Sequence, residues 1–220
     1  MKEIAVIALD PPETVADLHE RLGFVPLHRI RMDPAPGTAT DKDVVRHLDG
    51  GNKRLYELVD GTLVEKAVGT RESILAVAII IRLGQFVKEH KLGLVSGADG
   101  PFRMLLGNVR YPDVSFVPRS ALPGGKIPKD AIWSVVPALA IEVLSESNTP
   151  KEIDRKLGEL FNLGCQCCWV IDPDDQTARV FTEPKVYTEL KSDGILLGDP
   201  MLPGFRLPLS EIFGTFDLFE

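Results

Sequence analysis

The apolar positions of this 220-residue chain change their spacing several times, and each change marks an expected element. In DPPETVADLHERLG, Val15, Leu18 and Leu22 share one side of a short helix that Gly23 stops. RMDPAPGTATDKDVVRHLDGG is a Pro/Gly-rich linker running into a second short helix, where Thr40 and Asp43 have the spacing of a capping box. RLYELVDGTLVEK then alternates with a period of two on either side of Asp60-Gly61, the pattern of a tight hairpin. Leu55, Glu57 and Val59 fall on one face of it, so an acid accompanies two apolar residues. A long helix is expected from Thr70 to His90, and its almost wholly apolar middle predicts burial on several sides. LGLVSG, PFRMLLG and VRYPDVSFVP read as strands, followed by a Pro/Gly-rich loop and the strand ALAIEVLS. A helix from Pro150 to Leu163, the strand CCWVIDP, the hairpin TARVFTEPKVYTEL and a short strand-and-turn tail with a small final helix complete the chain. This order predicts an α/β (α+β) fold, a sheet with helices packed on it. Residues 1–50 read as an N-terminal extension with short helices, and residues 51–220 as the main domain.

Composition narrows the class. A hydrophobic share of 44% and a charged share of 26% are those of a globular protein able to bury a full core. The longest apolar run, Ile74 to Ile81, is too short to span a bilayer, and no membrane association is expected. The N-terminal MKEIAVIALDPPE carries an early acid and lacks a signal-peptide cleavage pattern, which predicts a cytoplasmic protein. The net charge of −7 argues against a protein that coats nucleic acid non-specifically. Residues 101–130, however, hold five Lys/Arg against two acids, a local basic strip compatible with a phosphate-bearing substrate and equally with a solvated loop.

Two acids then stand out. Glu142 interrupts the apolar run Ala138 to Leu144, which reads as a strand buried on both faces. A carboxylate there needs a cation, a proton or a ligand. Asp113 follows Pro112, which within a strand signals an edge or bulge where a side chain is re-aimed; a solvent-facing turn residue is the plainer alternative. Two converging strand carboxylates suit a hard divalent ion such as Mg2+, completed by water and substrate phosphate, and a buried ion pair is the competing account of Glu142. In the helix that follows, Thr149, Pro150 and Glu152 form its capped start and Gly164 ends it. Ile153, Leu157, Leu160 and Phe161 make its apolar stripe, while Lys151 and Arg155 point away from it. Lys156 lies at the stripe's margin, placed to reach toward the Glu142 strand. Glu72 falls in the first turn of the long helix, where an acid complements the helix dipole. Cys165, Cys167 and Cys168 are distant in sequence from all four histidines, and small apolar packing in a reducing compartment is expected of them.

The ordered segments YELVDGTLVEK, RYPDVSFVP, ALAIEVLSESNTPKE, RKLGELFNLGCQCCWVIDP and LPGFRLPLSEIF resemble the Uma-type restriction endonuclease family of the PD-(D/E)XK nuclease-like superfamily, from about residue 52 onward. The resemblance implies a restriction-endonuclease-like core, a mixed central β-sheet flanked by helices, behind the N-terminal helical extension. It implies an endonuclease hydrolysing DNA with Mg2+ (or Mn2+), the metal held by Asp113 of YPD and Glu142 of IEV. The superfamily's lysine position is occupied by Leu144; members of this superfamily can carry that lysine on the neighbouring helix, where Lys156 fits the role. Glu57 is an additional candidate catalytic acid. A homodimer is expected, since cleaving a duplex needs two sites. The alternative is a catalytically inactive nuclease fold that binds nucleic acid or another partner.

Overall fold

The computed structural model describes residues 12–50, 54–67 and 69–216; the expected extension is therefore visible from residue 12, and its first eleven residues lie outside the described part. In chain order the elements are α1 (Val15–Arg21), α2 (Asp41–Asp49), β1 (Tyr56–Val59), β2 (Thr62–Glu65), α3 (Thr70–Glu89), β3 (Gly93–Ser96), β4 (Phe102–Arg103), β5 (Val109–Arg110), β6 (Val114–Pro118), β7 (Leu139–Val143), α4 (Pro150–Leu163), β8 (Cys167–Asp172), β9 (Thr177–Glu183), β10 (Val186–Leu190), β11 (Ile195–Leu197), β12 (Arg206–Pro208) and α5 (Leu209–Phe213).

A six-stranded sheet in the order β10-β9-β8-β7-β6-β3 forms the centre of the molecule. It is mixed: β7 and β8 run parallel, with Glu142 beside Val170, and every other pairing is antiparallel. A parallel neighbour requires a long crossover, and α4 supplies it. The pleat sends Leu139, Ile141 and Val143 to one face, against Leu75, Ala76, Ile79, Leu83 and Val87 of α3 and the α5 segment. It sends Ala140 and Glu142 to the other, where Ile153, Leu157 and Leu160 of α4 pack on Cys168 and Val170. Cys167 and Cys168 accordingly face opposite sides, and all three cysteines are buried.

A second sheet, β2-β1-β5-β4, begins with the expected hairpin. Asp60 and Gly61 both take positive φ (46° and 69°), the geometry of a primed turn. A side chain at Gly61 would meet the backbone of Gly37 at 2.6 Å, so the turn also requires glycine for clearance. Leu18, Leu22 and Val25 cover Val59 and Val64, and Val44 of α2 packs with Tyr56, Leu58, Leu63, Val109 and Tyr111. The N-terminal segment thus caps the small sheet.

Three expectations are corrected. VRYPDVSFVP is not one strand: β5 belongs to the small sheet and β6 to the central one, and Pro112, which offers no N–H, lies between them. Val109 and Val117 therefore share no common face. PFRMLLG keeps only two strand residues before a 3-10 turn in which Leu106 and Gly107 take positive φ. α3 buries one side alone, leaving Ile74, Val77 and Ile81 exposed, because the sheet packs against only one face of it.

Candidate active site

The crossing from β5 to β6 places Asp113 just ahead of Val114, which pairs with Ile141, so extending the register by one residue sets Asp113 opposite Glu142. Asp113 takes the place of a ladder partner: its Oδ2 accepts the Val143 N–H at 2.8 Å. Its Oδ1 lies 2.8 Å from Lys66 Nζ. Lys66 ends the hairpin and is buried, also donating to the carbonyls of Tyr111 (2.6 Å) and Ala98 (3.1 Å).

α4 lies between the two sheets, its apolar stripe on the central sheet and its polar face toward the small one. From it Lys156, 6% exposed, reaches Glu142 Oε2 at 2.7 Å and Glu57 Oε1 at 3.0 Å. Glu57 comes from β1 and is 2% exposed. It also accepts from Arg110 Nη1 (2.8 Å) and from the Tyr111 N–H (3.2 Å). Arg110 bonds Glu159 of α4 through Nε at 2.6 Å and Nη2 at 3.1 Å, and Arg155 joins Glu159 to Asp60. The structure thus brings together all four residues singled out in the sequence, Asp113, Glu142, Lys156 and Glu57.

Among the described residues this network sets four cations, Lys66, Arg110, Arg155 and Lys156, against five carboxylates, Glu57, Asp60, Asp113, Glu142 and Glu159. The excess falls on Glu142. Burial raises its carboxyl, Lys156 opposes that rise, and the neighbouring charge of Asp113 adds to it, leaving Glu142 at about 7. Among the described residues its Oε1, which is buried, has no hydrogen-bond partner. Glu57 behaves oppositely: burial pushes it up, but Lys156, Arg110 and Lys66 outweigh burial and hold it far below the usual carboxylate range. Burial disfavours the charged form of Lys156, and Glu142, Glu57 and Asp113 more than restore it.

The arrangement can take a proton or a cation at Glu142. No group of three or more His, Cys, Asp or Glu among the described residues makes a metal cage by itself. A hard divalent ion needs only one or two protein carboxylates, with water and substrate phosphate completing its shell. The orphaned Glu142 oxygen beside Asp113 fits that pattern. A cavity of about 220 Å3 opens onto Asp113 between α3 and the central sheet, lined also by Gly69, Glu72, Ser73, Val143 and Ser145. Glu72 therefore shares a cavity with Asp113, whereas Glu142 and Lys156 do not line it.

Sequence reading missed Lys66 and Arg110. Lys66 was legible in principle, since alternation from Val64 turns it inward. Arg110 was counted in the basic strip, but Glu57 and Glu159 consume its charge, and Arg103 pairs with Asp41 at 2.8 Å. Two of the strip's five cations are thereby spent internally.

The model of the Uma2 family, described as "Putative restriction endonuclease", matches residues 45–210. Among solved structures, a "putative nuclease belonging to DUF820" from Anabaena variabilis ATCC 29413 superposes with a TM-score of 0.66 at 19% identity, over 74% of this chain and 92% of that one. At that identity the likeness speaks for the fold. No curated protein matches the chain.

Proposed function

The chain belongs to the Uma2 family of restriction-endonuclease-like proteins, and from that premise we propose that it is a divalent-metal-dependent endonuclease acting on DNA. The observation that carries the reading is the buried Oε1 of Glu142, which among the described residues has no partner and sits in a network with one carboxylate in excess. Asp113 and Glu142 would hold Mg2+ or Mn2+. Such an ion supplies Lewis-acid stabilisation and an activated water when bound.

The chain's own groups do the rest. Lys156 stays charged although buried, because Glu57 and Glu142 flank it; a fixed ammonium there orients the attacking water and meets the negative charge that develops on the phosphoryl oxygens. Glu57 acts through Lys156, anchored in turn by Arg110. Lys66 and the Val143 N–H hold the two oxygens of Asp113 in one orientation. Of these groups, Asp113 is the one that lines the cavity between α3 and the central sheet, and it would be the first to meet a phosphodiester entering there. Cutting both strands of a duplex calls for a second copy of the site, and hence for a homodimer.

Supercoiled, linear and single-stranded DNA incubated with Mg2+ or Mn2+ tests the reading. Wild type is expected to cut at least one form, and Glu142→Gln none. Cleavage that survives the substitution would remove Glu142 from the site. Absence of both metal binding and cleavage in wild type would favour a silent nuclease fold, with Glu142 and Lys156 as a structural ion pair.

A further inference from the structure

We propose that Arg29 is a positioning residue for the two lysines of the site, a guanidinium in the N-terminal segment that fastens together the two elements delivering Lys66 and Lys156. It lies outside residues 45–210, the part matched by the family. It is 4% exposed and makes four bonds. Nε donates to the Glu65 carbonyl at 2.8 Å, and Nη1 to the Ser147 carbonyl at 3.0 Å. The fork then closes on Glu152, Nη1 to Oε2 at 3.1 Å and Nη2 to Oε1 at 2.6 Å. Glu65 is the residue before Lys66. Glu152 sits one turn before Lys156 on the same helix.

The surrounding contacts fix the same place. Gly23 (φ 78°) lies so close to α4 that a side chain there would meet the Glu152 nitrogen at 2.7 Å. The hydroxyl of the N-cap Thr149 donates to the Gly23 carbonyl, and Arg155 donates to the Arg21 carbonyl. The first turn of α4 is therefore seated against the loop that follows α1. A buried ion pair is weak evidence for stability, because desolvation offsets most of its attraction. What a forked guanidinium with four fixed acceptors gives is direction, which a lysine at the same position cannot reproduce. The direction it sets is that of the helix turn from which Lys156 reaches both sheets.

The test uses Arg29→Met, Arg29→Lys and Glu152→Gln in the full chain, each first shown folded by urea denaturation. Two readouts follow: the slowly exchanging 15N ammonium resonance of Lys156, and the kcat–KM split of DNA cleavage. The proposal rests on the nuclease reading for the second readout only. Arg29→Met and Arg29→Lys are expected to broaden or abolish the Lys156 resonance and to lower kcat by about 10- to 100-fold with KM nearly unchanged. A folded Arg29→Met that is merely less stable, with the Lys156 resonance and kcat intact, overturns the proposal. If Arg29→Met does not fold, Glu152→Gln decides by the same readouts, since it leaves the Arg29 bonds to Glu65 and Ser147 in place. If wild type does not cleave DNA, the nuclease reading fails, and the Lys156 resonance alone decides the role of Arg29.

Discussion

Glu142 and Lys156 show what a single residue's surroundings can do to its charge. Lys156 shares its ammonium between two acids, so neither is fully neutralised, and Asp113 with its own lysine stands opposite. The carboxyl that yields is Glu142, held at about 7 chiefly by burial. Its proton is bound more tightly in the folded chain than in the unfolded one, where the ordinary value is 4.5. The resulting stabilisation is complete below that ordinary value and is lost as pH rises through about 7. We expect the unfolding free energy of wild type to fall by on the order of 3 kcal/mol, relative to Glu142→Gln, between about pH 5 and pH 8, read from urea denaturation at each pH. Parallel pH profiles for the two proteins would contradict this. The depressed Glu57 and Glu159 act in the opposite sense, favouring the fold above their unfolded values, so the Glu142→Gln comparison is what isolates the effect. In the sequence, Glu142 was legible as a misplaced charge and Lys156 as the lysine at the stripe's edge. Lys66 was legible only as an inward-turned lysine, because its partner depends on where Asp113 lies in three dimensions.

At the scale of elements, α4 was the most readable part of the chain and the strand before Glu142's partner the least. Thr149, Pro150, Glu152 and Gly164 are local signals, and the helix runs from Pro150 to Leu163 as they dictate. Its capping box forms through the Thr149 side chain, which accepts the Glu152 N–H at 3.1 Å. The same hydroxyl donates to Gly23, so Thr149→Ala is expected to cost about 1–2 kcal/mol in chemical denaturation, the upper part of the range for an N-cap. A loss within a few tenths would mean that neither bond matters. VRYPDVSFVP misled because alternation reports faces only while one sheet continues. Whether Pro112 marks a bulge or a transfer between sheets depends on the partner strands, β1 for one half and β7 for the other. That transfer is what delivers Asp113 to the edge of Glu142.

For the molecule as a whole, the fold class was legible in the order of helices and strands, and the Uma-type resemblance covered the segments that now match the family. The role of the N-terminal segment was not legible. Its apolar stripe marks a helix face without naming what that face covers, and only the folded chain shows Leu18, Leu22 and Val25 on Val59 and Val64. Leu22, nearly fully buried there, makes the point testable. Leu22→Ala is expected to lower the unfolding free energy by about 2–4 kcal/mol in a single cooperative transition; a separate early transition would show that residues 12–50 unfold independently of the sheets. Among the described residues no helix is long and apolar enough to cross a membrane, and the exposed Ile74, Val77 and Ile81 of α3 form an apolar stripe on a folded domain.

The central claim is that one buried carboxylate, Glu142, takes either a proton or a divalent cation, and the most direct measurement is calorimetric titration of Mn2+ into the protein in buffers of different ionisation enthalpy. At about pH 6 Glu142 is largely protonated, so binding should release close to one proton, falling toward none at about pH 8.5. Glu142→Gln should show weak binding and no pH-dependent release. Mn2+ binding without proton release at the lower pH, or binding unchanged in Glu142→Gln, would contradict the account.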